Sequence, residues 1–251
     1  MYLDKNGKIM KPYYKTNNCA LYQCDNLELM KQLPDNYIDL IYCDILYNTG
    51  RKFKDYNDNL GTPQEAILWY EPRLLEMFRL LKDTGSIYLQ MDYRLVHYMK
   101  VAMDNIFGYD NFVNEIIWKY GLGGSGKKAF AKKHDTILFY TKTKDYIFNL
   151  QYEKATSNKM KGQDKKMIDV WDIPSINNMA KERLDYDTQK NIEIPRNIVL
   201  ASSNVGNIVA DFFMGSGTTG DVALENGRKF IGCDIGERAC KLTQERLEKY
   251  A

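Results

Sequence analysis

The stretch Asn207–Gly220, NIVADFFMGSGTTG, sets the architecture of this chain. An apolar run ends at Asp211, and glycines follow at 215, 217 and 220 in the spacing G-x-G-x-x-G. Between a strand and a helix, that spacing lets a ligand approach the backbone at a helix N-terminus. The next apolar run, KFIGCD (229–234), ends at Asp234, where a carboxylate is placed to accept hydrogen bonds from a ribose. A tight strand–helix turn with no ligand is the plain alternative. Two features argue against a nicotinamide dinucleotide. Only 31 residues follow Gly220, so strands from earlier in the chain must complete the sheet. Asp211 would also repel a pyrophosphate. A ligand with positive charge, a ribose and no phosphate fits better, and S-adenosylmethionine has these properties.

Working outward, YIDLIYCD (37–44) reads as a buried parallel strand that delivers a carboxylate, Asp44, at its end. A carboxylate there costs free energy unless it has a partner or a task. Thr62-Pro63-Gln64-Glu65 is a capping box with proline at the first helical position, and the helix it opens is expected to run to about Lys82, bent at Pro72. GSIYLQMD (85–92), FVNEIIWKY (112–120) and DTILFYTK (135–142) read as strands, and 93–107, 194–203 and 236–250 as helices. Alternating strands and helices predict an α/β fold with a mostly parallel, doubly wound sheet. From about 145 to 190 periodicity is poor, and WDIPSIN stands out as an apolar island with Trp171 as a core anchor. The expected organisation is 1–120 and 191–251 as two halves of one domain, with 121–190 inserted between them.

The five cysteines form no C-x-x-C pair and read as reduced thiols rather than a disulfide framework. With only two histidines, no metal centre is expected. The N-terminus has no apolar signal core and no run is long enough to span a bilayer, so a soluble, cytoplasmic protein is expected. The net charge of +2 is uneven, because Lys119–Lys166 holds twelve lysines and four acids, leaving −6 for the rest. This is either a polyanion-facing segment or a solvated lysine-rich loop.

Taken together, these motifs resemble the β group of amino-directed DNA methyltransferases of restriction–modification type. DILYNTG resembles their D-P-P-Y motif, DFFMGSGTTG their cofactor loop, and DTQKN the T-Q-K-P segment that precedes it. CDNLELMKQLPDNYIDLIYCD and KERLDYDTQK also match, and the likeness covers about 18–119 and 180–250. The catalytic motif comes first and the cofactor loop last. The resemblance implies a Rossmann-like methyltransferase fold with this permuted order and a target-recognition insertion. It implies S-adenosylmethionine as cofactor, double-stranded DNA as partner, and a bacterial or phage-infected cytoplasm near the nucleoid. It admits a homodimer and a companion restriction endonuclease.

The chemistry implied is methyl transfer to the exocyclic amine of a flipped base. The aspartate form of the motif leans toward adenine N6, with cytosine N4 the alternative. Asp44 and a backbone carbonyl, that of Ile45, would accept the two amine N–H groups, and Tyr47 would stack on the base. By the same resemblance the cofactor falls to Asp25, Asp44, Thr188, Lys190, Asp211, Phe213, Gly215, Gly217, Thr218 and Asp234. Asp25 is equally a helix cap ahead of NLELMKQL. Lys127, Lys128, Lys132 and Lys133 would meet DNA phosphates. His134 matches a position near the base but is also an ordinary strand-start residue. Ile45 and Leu46 stand where the family has two prolines, Asn191 replaces a third and Phe212 a fourth. These departures remove fixed φ angles from the loop and leave a catalytically weakened, DNA- and cofactor-binding homologue as the alternative.

Overall fold

The computed structural model describes residues 10–54, 56–121, 127–157, 160–176, 184, 186 and 188–251. Residues 1–9, Gly123, Gly124 and Gly126 of the glycine-rich connection, Lys159, and Lys181–Arg183, Asp185 and Asp187 of KERLDYDTQK lie outside them.

The chain opens with β1 (Tyr14–Lys15), β2 (Cys19–Gln23), α1 (Asn26–Met30) and β3 (Ile38–Asp44). A small hairpin, β4 (Arg51–Lys52) with β5 (Asn57–Asp58), precedes α2 (Pro63–Leu80), β6 (Leu81–Met91) and α3 (Val96–Phe107). Then come β7 (Phe112–Lys119), β8 (His134–Thr141), β9 (Tyr152–Lys154), β10 (Asp164–Lys166) and β11 (Val170–Asp172). The last elements are α4 (Glu193–Ser202), β12 (Ile208–Asp211), α5 (Thr218–Glu225), β13 (Lys229–Asp234) and α6 (Glu237–Leu247).

Nine strands form one sheet in the order β1-β2-β13-β12-β3-β6-β8-β7-β11. From β2 to β6 neighbours are parallel, whereas β8 runs antiparallel to both β6 and β7. The expected mostly parallel α/β sheet is therefore present. Its centre is apolar on both faces, as helices on both sides require. Ile41 and Cys43 face α1, α2 and α3, among Leu29, Tyr70, Met77 and Met103. Leu40 and Tyr42 alternate to the other face, among Ile198 of α4, Val222 of α5 and Leu247 of α6.

The capping box forms as expected: Glu65 N–H donates to Thr62 Oγ1 at 3.3 Å, and Thr62 N–H donates to the Glu65 carboxylate at 2.7 Å. The helix continues past Pro72 to Leu80. Three differences from expectation have local causes. Strand β6 begins at Leu81, directly off the helix. Helix α3 starts at Val96, because the Asp92 carboxylate accepts the Arg94 N–H and holds 92–95 in a turn. Short β2 and β11 become strands only through neighbours: β2 pairs with β13, and β11 extends β7 with Trp171 buried against the second core. All five cysteines are free thiols. No helix among the described residues is long and apolar enough to cross a membrane.

Candidate active site

Five adjacent parallel strands end on one edge of the sheet, and three of them deliver a carboxylate there. Asp44 closes β3, Asp211 closes β12 and Asp234 closes β13, while Asp25 follows β2 as the N-cap of α1. Strand β8 runs the other way and begins at the same edge with His134 and Asp135, since Met91 at the end of β6 pairs with Thr136. Ligands in such sheets bind in the crevice beyond the strands' carboxyl ends. A cleft of about 230 Å³ lies there. Its walls include Asp25, Asp44, Ile45, Tyr47, Thr188, Lys190, Asp211, Phe213, Gly215, Thr218 and Asp234. Of the residues assigned to cofactor from the sequence, Gly217 alone is outside this lining. It caps α5 at φ +74°, and a Cβ there would sit 2.5 Å from the Thr243 side chain. Glycine is thus required by the turn itself.

Lys127, Lys128, Lys132, Lys133 and His134 also lie outside the cleft lining. Lys127, Lys128, Lys132 and His134 are exposed, and Lys133 is half-buried. Lys132 Nζ stands 3.7 Å over the ring of Tyr93, which follows β6 at the same edge of the sheet.

Asp211 is buried where it lines the cleft. Its carboxylate accepts Thr219 Oγ1–H at 2.7 Å and the Phe213 N–H at 3.0 Å. Burial outweighs both bonds and pushes the carboxyl up to about 7. Asp234 accepts the Gly215 and Gly236 N–H groups at 3.0 and 2.9 Å, which ties the glycine turn to the next strand. Asp25 does cap α1, accepting the Leu27 N–H at 2.8 Å, and it also pairs with Arg73 at 2.9 Å while facing the cleft.

Asp44 is held by two donors. Lys190 Nζ lies 2.6 Å from its Oδ2, and the Tyr47 hydroxyl 2.7 Å from its Oδ1. Burial raises its pKa, and the lysine and the tyrosine offset only part of that rise. The loop after Asp44 is fixed without prolines. Ile45 N–H donates to the Gln90 carbonyl at 3.2 Å, and the Tyr70 hydroxyl donates to the Leu46 carbonyl at 2.8 Å. Buried Asp58 accepts the Asn48 and Thr49 N–H groups at 2.9 and 3.0 Å as well as the Thr49 hydroxyl. Asn48 itself takes a left-handed φ of +55° and bonds Leu60 N and Gly61 O. The Ile45 carbonyl accepts no hydrogen bond among the described residues.

Asp58, Asp135 and Gln90 were not singled out from the sequence. Asp135 is buried on β8, with Tyr47, Gln90 and Tyr120 as donors, and only the tertiary register brings it to Tyr47. Asp58 had one available signal, an acid in the short polar segment between the motif and the capping box.

A cleft with acidic strand ends, a glycine turn and apolar walls suits a cationic nucleoside, and its occupant class follows from comparison with known proteins. The DNA methylase family model for N6- and N4-directed enzymes matches residues 38–245. The chain belongs to that family. It is 33% identical over 234 residues to the Type II methyltransferase M.HpaI of Haemophilus parainfluenzae, covering 90% of this chain and 73% of the relative. It is 31% identical over 246 residues to the DNA adenine methyltransferase YhdJ of Escherichia coli K12, covering 89% and 81%. In fold it is similar to the PvuII cytosine-N4-specific DNA methyltransferase, with a TM-score of 0.72 at 19% identity over 96% of this chain and 92% of that one. As a member of this methylase family, the protein is a DNA methyltransferase whose methyl donor is S-adenosylmethionine.

Proposed function

We propose that this methylase transfers a methyl group to adenine N6 of a base flipped out of double-stranded DNA, with Asp44 as acceptor of the amine. The carrying observation is the end of β3. Asp44 and Ile45 line one cleft with Asp211 and the glycine turn, and the Ile45 carbonyl accepts no hydrogen bond among the described residues, while the neighbouring Leu46 carbonyl is already taken by Tyr70. An exocyclic amine is a poor nucleophile because its lone pair is delocalised into the ring. Hydrogen bonds from its two N–H groups to Asp44 and Ile45 make the nitrogen more tetrahedral and direct its lone pair outward. The Tyr47 ring offers a stacking face, worth about 1–3 kcal/mol per base, which offsets part of the cost of leaving the duplex.

The cleft fits S-adenosylmethionine. Asp234 is placed for a ribose, Asp211 for a cationic group, Phe213 for an apolar contact, and Gly215 and Thr218 for close backbone approach. Asp25, Thr188 and Lys190 complete the assignment. When bound, this group supplies the electrophilic methyl carbon. The lysines at 127, 128, 132 and 133 would hold phosphates, and 121–190 would carry target recognition. The adenine reading is supported by the relative YhdJ and by the aspartate form of the motif. Cytosine N4 is the second reading. The hydrogen bonds that pin 45–50 support an active enzyme despite the missing prolines.

Modification mapping of DNA from cells expressing the protein tests the proposal. N6-methyladenine at a fixed sequence is expected. N4-methylcytosine would select the second reading, and unmodified DNA with cofactor binding retained would reject activity.

A further inference from the structure

Tyr47 has one hydroxyl proton and two carboxylates to give it to. Its oxygen lies 2.7 Å from Asp44 Oδ1 and 2.9 Å from Asp135 Oδ2. A phenol donates once, so only one of these contacts is a donated hydrogen bond at a time. The other oxygens are already engaged: Lys190 holds Asp44 Oδ2, and the Tyr120 hydroxyl lies 3.2 Å from Asp135 Oδ1. Gln90 fixes the frame. Its Oε1 accepts the Tyr42 hydroxyl at 2.7 Å, and its Nε2 is 3.2 Å from the Tyr47 oxygen and 3.3 Å from Asp135 Oδ2. Asp135 and Gln90 are 5% and 0% exposed, so the Asp135 side of the hydroxyl is shielded from solvent.

We propose that Asp135 is a positioning residue, the second acceptor of a two-position Tyr47 hydroxyl, whose role is to free Asp44 for the substrate amine. This rests on the reading of Asp44 as amine acceptor. With the cleft empty of substrate, the hydroxyl donates over the shorter distance, to Asp44. An incoming amine N–H competes for the same oxygen. Rotation about the tyrosine Cζ–O bond turns the hydrogen to Asp135, exchanging one charge-assisted hydrogen bond for another. No covalent bond changes and no heavy atom has to move. Without Asp135 the hydroxyl has only Asp44, and the amine must displace it.

The test is epistasis in single-turnover methyl transfer from labelled S-adenosylmethionine to a duplex carrying the mapped target. Asp135→Leu removes the acceptor and is expected to slow transfer by about tenfold or more, with cofactor affinity kept, since a charge-assisted hydrogen bond is then contested. Asp135→Asn keeps a weaker acceptor and falls between; it serves if the leucine variant does not fold by thermal melting. Adding Tyr47→Phe to either variant removes the competing hydroxyl and is expected to restore most of the lost rate. A merely structural role for Asp135 predicts no such rescue. Double variants as slow as the Asp135 single variants, or an Asp135→Leu enzyme at full rate, overturn the switch. Asp44→Asn is the separate control: full rate there rejects the amine-acceptor reading itself, and the switch with it.

Discussion

Lys190 Nζ contacts Asp44 Oδ2 at 2.6 Å, across 146 positions of sequence. Both side chains are mostly buried, at 17% and 22% exposed. Burial would strip the lysine of its proton, but Asp44 and Asp135 outweigh it and raise its pKa. For Asp44, burial raises the pKa and Lys190 is the main force pulling it down. Lys190→Gln should therefore raise the Asp44 pKa further. Protonation would turn one of the two Asp44 oxygens that now accept into a donor, so the acid limb of the pH–rate profile should move to higher pH. Single-turnover rates across pH check this: the deficit should be largest in acid and shrink in base. An equal deficit at every pH would contradict it.

Asp211 sits at about 7 because it is buried, and a cation placed beside it favours its ionised form. Below that value, binding a cationic ligand must expel the proton. Cofactor affinity should then rise with pH by up to about tenfold per unit below about pH 7 and level off above it. Calorimetry in buffers of different ionisation enthalpy should register about one proton released on the acid side and none on the alkaline side. Asp211→Asn should flatten the dependence. An affinity independent of pH in the unaltered protein would remove Asp211 from the cationic end of the ligand.

Much of this site was legible in the sequence because its parts are local. Strand, carboxylate and glycine turn are contiguous in NIVADFFMGSGTTG, and so are strand, carboxylate and aromatic ring in YIDLIYCDILY. Periodicity placed the central strands and helices for the same reason. Short β2 and β11 have no periodicity of their own and exist through pairing. Asp135 was invisible because its role depends on the antiparallel register of β8 against β6, which sequence spacing does not encode. The missing prolines suggested a looser loop. A side-chain donor from α2, Tyr70, and a side-chain acceptor from β5, Asp58, replace the fixed φ angles, and such substitution cannot be read from the loop alone.

Asp58 is the centre of that replacement. It is 3% exposed and accepts two backbone N–H groups and a hydroxyl. Asp58→Ala takes the partner from those half-buried donors, at up to about 1–3 kcal/mol for each. A loss of about 2–4 °C per kcal/mol in melting temperature is expected for a chain of this size. Methyl transfer should fall with it, because Asn48 and Thr49 follow Tyr47 directly. Leu46→Pro, which removes no hydrogen bond donated by residue 46 among the described residues, should cost less in both measurements. Equal melting temperatures for Asp58→Ala and the unaltered protein would show that the loop is held some other way.

Lys127, Lys128 and Lys132 are exposed and Lys133 is half-buried just ahead of β8, which begins at the sheet edge that carries the cleft. Each phosphate contact contributes about 0.9 to the slope of log affinity against log salt. Replacing Lys127, Lys128, Lys132 and Lys133 with alanine should lower that slope by up to about 3–4 and weaken binding to all duplexes alike, leaving target preference in place. The four should not contribute equally. Lys127 and Lys128 are exposed, Lys132 is steered by the Tyr93 ring, and Lys133 is half-buried with its Nζ 3.4 Å from the Gly121 carbonyl. Lys133→Ala alone should therefore change the slope least. Fluorescence anisotropy with a labelled duplex over a salt series measures each slope, and a quadruple variant with the slope of the unaltered protein would assign the phosphate contacts to other residues.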